Sequence, residues 1–129
     1  MFDETLVYQE APISVAAQDT PTSEPEPDII VLKPEAAGYS AEQPGPNDLA
    51  LVVEVSDTTI TFDLTIKASL YARAGIVDYW VVDLNARRLI VHRQPANGVY
   101  DSVIAYSESE MVSPLAAPEH AFKVRDVLI

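Results

Sequence analysis

Hydrophobic spacing changes character several times along the chain. "TLVYQEAPISV", residues 5–15, alternates apolar and polar positions as a half-buried strand does, and Pro12 assigns it to a sheet edge or a strand end. "DIIVL", residues 28–32, and "LALVVEVS", residues 49–56, are short β-branched runs of the kind that make buried strands. From Thr58 to Ala74 the spacing becomes helical, with Gly75 placed to end the helix. "IVDYWVVDLNARRLIVHRQ" then predicts a strand, a tight turn around Leu84 to Arg87 and a second strand. One further strand is expected near Val103 to Tyr106, followed by a polar loop and a short closing segment. Between these elements, residues 16–27 form a loop rich in proline and acid, and "KPEAAGYSAEQPGPND" carries the proline and glycine of a second loop. No internal repeat is present.

A strand, loop, strand, helix, strand order implies a mixed α/β domain in which the helix crosses over one face of the sheet. Strands of this composition require cover on both faces, and only one helix is evident. The other face is therefore expected to lie bare. It would be covered by a homo-oligomer, by a partner chain, or by an N-terminal helix that this chain lacks.

Length and charge narrow the picture. The 129 residues suit a single domain over 1–129, 48% of them apolar with slightly positive mean hydropathy. The absence of cysteine removes disulfides, zinc–thiolate sites and thiol nucleophiles. No run approaches the roughly 18 residues of a membrane span, and the acidic N-terminus lacks a signal-peptide core, so a soluble, cytoplasmic protein is expected. Twenty acidic against eight basic residues leave a net charge of −12, which opposes simple electrostatic attraction to nucleic acid. Arg87, Arg88, His92 and Arg93 are grouped in sequence, as a solvated strand surface or a small binding patch would be.

Two charges interrupt the apolar pattern. Alternation in "LALVVEVS" turns Glu54 the same way as Val52, where an unpaired carboxylate would cost several kcal/mol, so it must meet water, a cation or a metal. On a helical wheel Ile60, Leu64, Leu70, Tyr71 and Ala74 share one arc, and Lys67 falls inside it with Asp63 one turn earlier. An exposed (i, i+4) pair is worth only about 0.3–0.5 kcal/mol, too little to turn two charges toward a sheet, so Lys67 is expected to face Glu54. Asp28, at the start of the neighbouring buried strand, is a third candidate. Two carboxylates and a lysine can hold Mg²⁺ through oxygen and stabilise charge on a phosphate under attack by water. The alternatives are a salt-bridged strand-end Glu54 and an ordinary Pro-Asp turn at Asp28.

Taken in order, "PEPDIIVL", "DLALVVEVS" and "DLTIKASLYARAGIVDYWVVD" resemble the Uma-two family of bacterial endonucleases, a branch of the PD-(D/E)xK nuclease superfamily. The resemblance runs from about Gln9 to the C-terminus. It implies a restriction-endonuclease-like mixed sheet, with Asp28, Glu54 and the backbone carbonyl of Val55 binding Mg²⁺ or Mn²⁺. The lysine of the (D/E)xK strand would stand at position 56, which here is Ser56; in this branch it lies on the following helix, which matches Lys67. Asp63 would support Lys67, and Tyr71 and Trp80 would serve as core or pocket wall. Family members also carry an N-terminal helical portion with an acidic residue facing the site, absent from this sequence.

The expected function is Mg²⁺-dependent endonucleolytic hydrolysis of nucleic acid through Asp28, Glu54 and Lys67. The competing expectation is a catalytically silent binding or assembly module of the same fold, acting through a partner or a homodimer.

Overall fold

The computed structural model describes residues 7–10, 12–16, 18–19, 25–35 and 44–128. Six strands form one sheet in chain order: β1 (Val7–Gln9), β2 (Ile29–Leu32), β3 (Leu49–Ser56), β4 (Asp78–Asp83), β5 (Arg88–Ala96) and β6 (Val99–Ser107). All neighbours are antiparallel except β3 and β4, which run parallel with Val52 opposite Tyr79 and Ser56 opposite Asp83. Parallel neighbours need a crossover, and the helical segment between them supplies it. These two strands are the most completely buried in the sheet because both of their faces are covered; every residue of β4 is buried, and of β3 all but Val55.

The crossover is not the single helix that the spacing predicts from Thr58. It is two pieces, α1 (Ile60–Leu64) and α2 (Ile66–Ala74), broken at Thr65, whose φ and ψ are −117° and −76°. Thr65 Oγ1 donates to the Thr61 carbonyl at 2.6 Å, and its N–H reaches both Thr61 and Phe62. A threonine hydroxyl bonding back to the i−4 carbonyl disturbs the ladder and bends a helix. Gly75 ends α2 as expected, in the left-handed region at φ 80°. A second glycine requirement, not anticipated, lies at Asn97–Gly98: both have positive φ, which makes the two-residue turn that joins β5 to β6.

On the helix side, Ala68, Leu70 and Tyr71 of α2 pack on Ile30, Val52, Tyr79, Val81 and Ile90, with Ile13 and Val15 closing one end. The opposite face is not bare, which corrects the expectation drawn from counting helices. The C-terminal segment crosses it: a small ribbon of β7 (Met111–Val112) and β8 (Phe122–Lys123), then a 3-10 turn over Val124–Asp126. Val112, Val124 and Leu128 are buried there against Val31, Leu51, Val53, Trp80 and Val91, with the Phe122 ring 5.9 Å from that of Trp80. At roughly 1.5–3 kcal/mol per buried aliphatic side chain, three such residues are enough to hold an irregular segment down. The uncovered surface lies instead on the helix side, where a groove of about 780 Å³ runs between α2 and the β5–β6 hairpin.

Of the expected 16–27 loop, residues 17 and 20–24 lie outside the described residues, as do residues 5, 6 and 11 of the expected 5–15 strand. Asp19 in that loop receives a two-pronged bond from Arg73 of α2, at 2.8 and 3.0 Å.

Candidate active site

The site forms where the C-terminal half of β3 passes between the start of β2 and the crossover helices. Asp28 precedes β2 directly after Pro27, and it interlocks with β3 in both directions. Its N–H donates to Glu54 Oε1 at 3.2 Å, and its Oδ2 accepts the Val55 N–H at 2.7 Å. These bonds hold the two carboxylates side by side and fix the Val55 peptide between them.

Glu54 is 3% exposed. Its Oε2 accepts Lys67 Nζ at 2.6 Å and the Tyr71 hydroxyl at 3.0 Å. Burial pushes the Glu54 carboxyl above its ordinary value of 4.5, outweighing the opposing pull of Lys67, Asp28 and Tyr71. The Tyr71 hydroxyl is itself driven upward, first by burial and then by the charge of Glu54, so it remains a donor throughout the accessible pH range. The Lys67 side chain is 25% exposed, with its ammonium 5.9 Å from the centre of the Phe62 ring. It thus links the buried carboxylate to the surface. Asp63 stands behind it: Oδ1 is 3.9 Å from Nζ, Oδ2 accepts the Thr59 hydroxyl at 2.9 Å, and its backbone carbonyl takes the Tyr79 hydroxyl at 2.8 Å.

Asp28, Glu54 and Lys67 therefore converge. Tyr71, expected as core or pocket wall, is fully buried in the core and also ends its hydroxyl on Glu54. Trp80, expected as core or pocket wall, is core: it is buried on the opposite face with its indole N–H on Asp78 Oδ1 at 2.7 Å. The Arg87, Arg88, His92 and Arg93 group does not form one patch. Arg87 binds Glu108 and the Leu128 carbonyl, Arg88 binds Asp83, and Arg93 binds Asp78, while His92 is buried against the Tyr79 carbonyl.

The donor set suits a hard divalent cation. Both acids offer oxygen, and Asp28 Oδ1 accepts no hydrogen bond among the described residues. No three His, Cys, Asp or Glu side chains among the described residues are grouped closely enough to hold a metal by themselves. Two carboxylates with the remaining positions left to water and phosphate is a common arrangement for Mg²⁺.

A family model, Uma2, described as "Putative restriction endonuclease", matches residues 3–125. The chain belongs to the Uma2 family. Its fold is similar to the crystal structure of an Anabaena variabilis protein described as a "putative nuclease", with a TM-score of 0.62 and 17% identity. That match covers 95% of this chain and 66% of the other, so the Uma2 chain described here spans just under two thirds of that protein's length. No curated protein matches the sequence. Among the described residues no helix is long and apolar enough to cross a membrane.

Proposed function

We propose that this Uma2 chain is a metal-dependent nuclease domain that hydrolyses phosphodiester bonds in nucleic acid. The observation that carries the proposal is the 2.6 Å contact between Lys67 and Glu54, beside an Asp28 interlocked with the same strand. Asp28 and Glu54, with the Val55 carbonyl, would hold Mg²⁺ or Mn²⁺, which when bound supplies charge stabilisation and a more acidic water. Lys67, reaching from the carboxylate to the surface, would orient the attacking water or bind a phosphate oxygen. In the reaction the water oxygen forms a new P–O bond, the bond to the leaving sugar oxygen breaks, and that oxygen takes a proton. Glu54 must be ionised to serve as a ligand, so proton and metal compete for it and metal binding should weaken as pH falls.

The test is cleavage of single- and double-stranded DNA and RNA with Mg²⁺ or Mn²⁺, comparing the native chain with Glu54→Ala and Lys67→Ala. Each variant is expected to lose on the order of a hundredfold or more in rate, the scale for removing a group aimed at developing charge. Equal cleavage by all three proteins would remove the assignment. A second reading, a catalytically silent binding or assembly module, draws support from the net charge of −12 and from the groove beside α2. It predicts no metal-dependent cleavage by the native chain and no effect of either substitution on partner binding.

A further inference from the structure

The two edges of the sheet differ sharply. The described part of β1 ends at Gln9 and is followed by Glu10, which has a φ of 49°, with Pro12 two residues further on. A strand closed by a left-handed residue and a proline is a poor template for further pairing at that end. β6 is nine residues long, about 30 Å at the usual rise per residue, and among the described residues no strand pairs with its outer side.

Its composition offers none of the usual blocks either. There is no lysine and no proline in β6, and "SVIAYS", Ser102 to Ser107, contains no charge at all. Apolar side chains stand half-exposed on both of its faces. Val99 and Val103 are each 54% exposed toward the groove side, where they line it, and Ile104 is 48% exposed on the other face. In a chain of net charge −12 most surfaces repel their own copies, whereas this uncharged stretch lets two copies meet at little electrostatic cost.

We propose that β6 is a self-association edge, pairing antiparallel with β6 of a second copy about a two-fold axis near Val103 and Ile104. Alternation keeps side chains on consistent faces only if a residue sits opposite its own copy. With Val103 or Ile104 at the axis, Asp101 falls opposite Ala105 or Ser107 of the second copy, so no acid meets an acid. Because the other edge is blunted, the pairing closes as a dimer and does not extend into a fibre. The result is one continuous twelve-stranded sheet, twice the six strands of one chain, with both helical layers on the same side and the two grooves joined across the axis.

The experiment is sedimentation or light-scattering mass over a concentration series, for the native chain, Ile104→Lys, Val103→Lys and, as a control within the groove, Ile66→Lys. The native chain is expected at twice its 14.1 kDa, with the dimer fraction rising as salt screens the net charge. Both β6 variants are expected to run as monomers with unchanged far-UV circular dichroism, since both sites are half-exposed, and Ile66→Lys is expected to remain dimeric. A native chain that stays monomeric at every concentration and salt overturns the proposal. So does a dimer that survives both β6 substitutions, or one that only Ile66→Lys dissociates, which would place the contact in the groove.

Discussion

Two acid–base centres lie on opposite faces of the same sheet, and their chemistry differs. On the tail side, Asp78 is fully buried and receives four donors: Arg93 Nε at 2.9 Å and Nη2 at 3.4 Å, Trp80 Nε1 at 2.7 Å and the Leu115 N–H at 2.9 Å. Arg93 also donates to the Ser113 carbonyl at 2.6 Å, so the pair fastens the C-terminal segment to β4 and β5. On the helix side, Glu54 is almost as deeply buried, but its base is a lysine that reaches solvent and the carboxyl is shifted upward. A saturated pair with a planar, forked base stabilises an arrangement of chain. A pair whose acid is unfavourably ionised, beside a second carboxylate, is suited to accept a ligand. The lesson is that burial of an ion pair does not by itself mark a site; the remaining valence of its acid does.

The largest expected effect that would test this contrast is on stability. Asp78→Ala strands Arg93 and frees the tail, and should cost about 3 kcal/mol, the lower end for breaking a buried pair, read as a shift of the urea midpoint. Glu54→Gln should behave in the opposite way, abolishing metal-dependent cleavage while leaving the chain at least as stable at neutral pH, because glutamine mimics the protonated form that burial favours. If Glu54→Gln destabilised the fold as much as Asp78→Ala, the distinction between the centres would collapse.

The pH dependence sharpens it further. Glu54 has a raised folded-state value, so its contribution is fully present below pH 4.5 and is lost as pH rises through that shifted value. The stability of Glu54→Gln relative to the native chain should therefore grow above pH 4.5 and level off once Glu54 is ionised. His92 is lowered from 6.5 chiefly by burial, so its contribution is present above pH 6.5 and is lost as pH falls below it. That second loss should appear in both proteins, and its absence from His92→Gln would identify it. The smallest effect belongs to Tyr71→Phe. Removing one hydrogen bond to Glu54 should cost about 1 kcal/mol and raise the Glu54 carboxyl further in the metal-free chain, so that protons displace the metal at a higher pH.

The candidate site was legible in the sequence because Glu54 and Lys67 violate the patterns around them, one in a strand and the other on a helical arc. Tyr71 gave no comparable signal; a tyrosine on an apolar arc looks like core until its hydroxyl is located. Asp78 was equally hidden, since an acid at the first residue of a strand resembles a boundary. The strands read well from β2 to β5, where alternation or continuous burial is strong. β6 extends beyond the apolar run from Val103 to Tyr106 that predicts it, back to the turn that Asn97–Gly98 makes. The cover of the second face escaped because Val112, Val124 and Leu128 are scattered through an irregular segment, and isolated anchors have no period to detect. The break at Thr65 is likewise a side-chain hydrogen bond that a wheel of apolar positions cannot register.

The contacts of Lys67 with Glu54 and Asp63, and of Glu54 with Asp28, also define a formal charge. Asp28, Glu54 and Asp63 contribute three negative charges around one positive ammonium, leaving −2. A bound monovalent ion would halve that excess and a divalent one would cancel it. The same excess repels an incoming phosphate, so the order of events is constrained: the cation should load first, and nucleic acid should bind measurably more tightly to the metal-loaded chain than to the metal-free one.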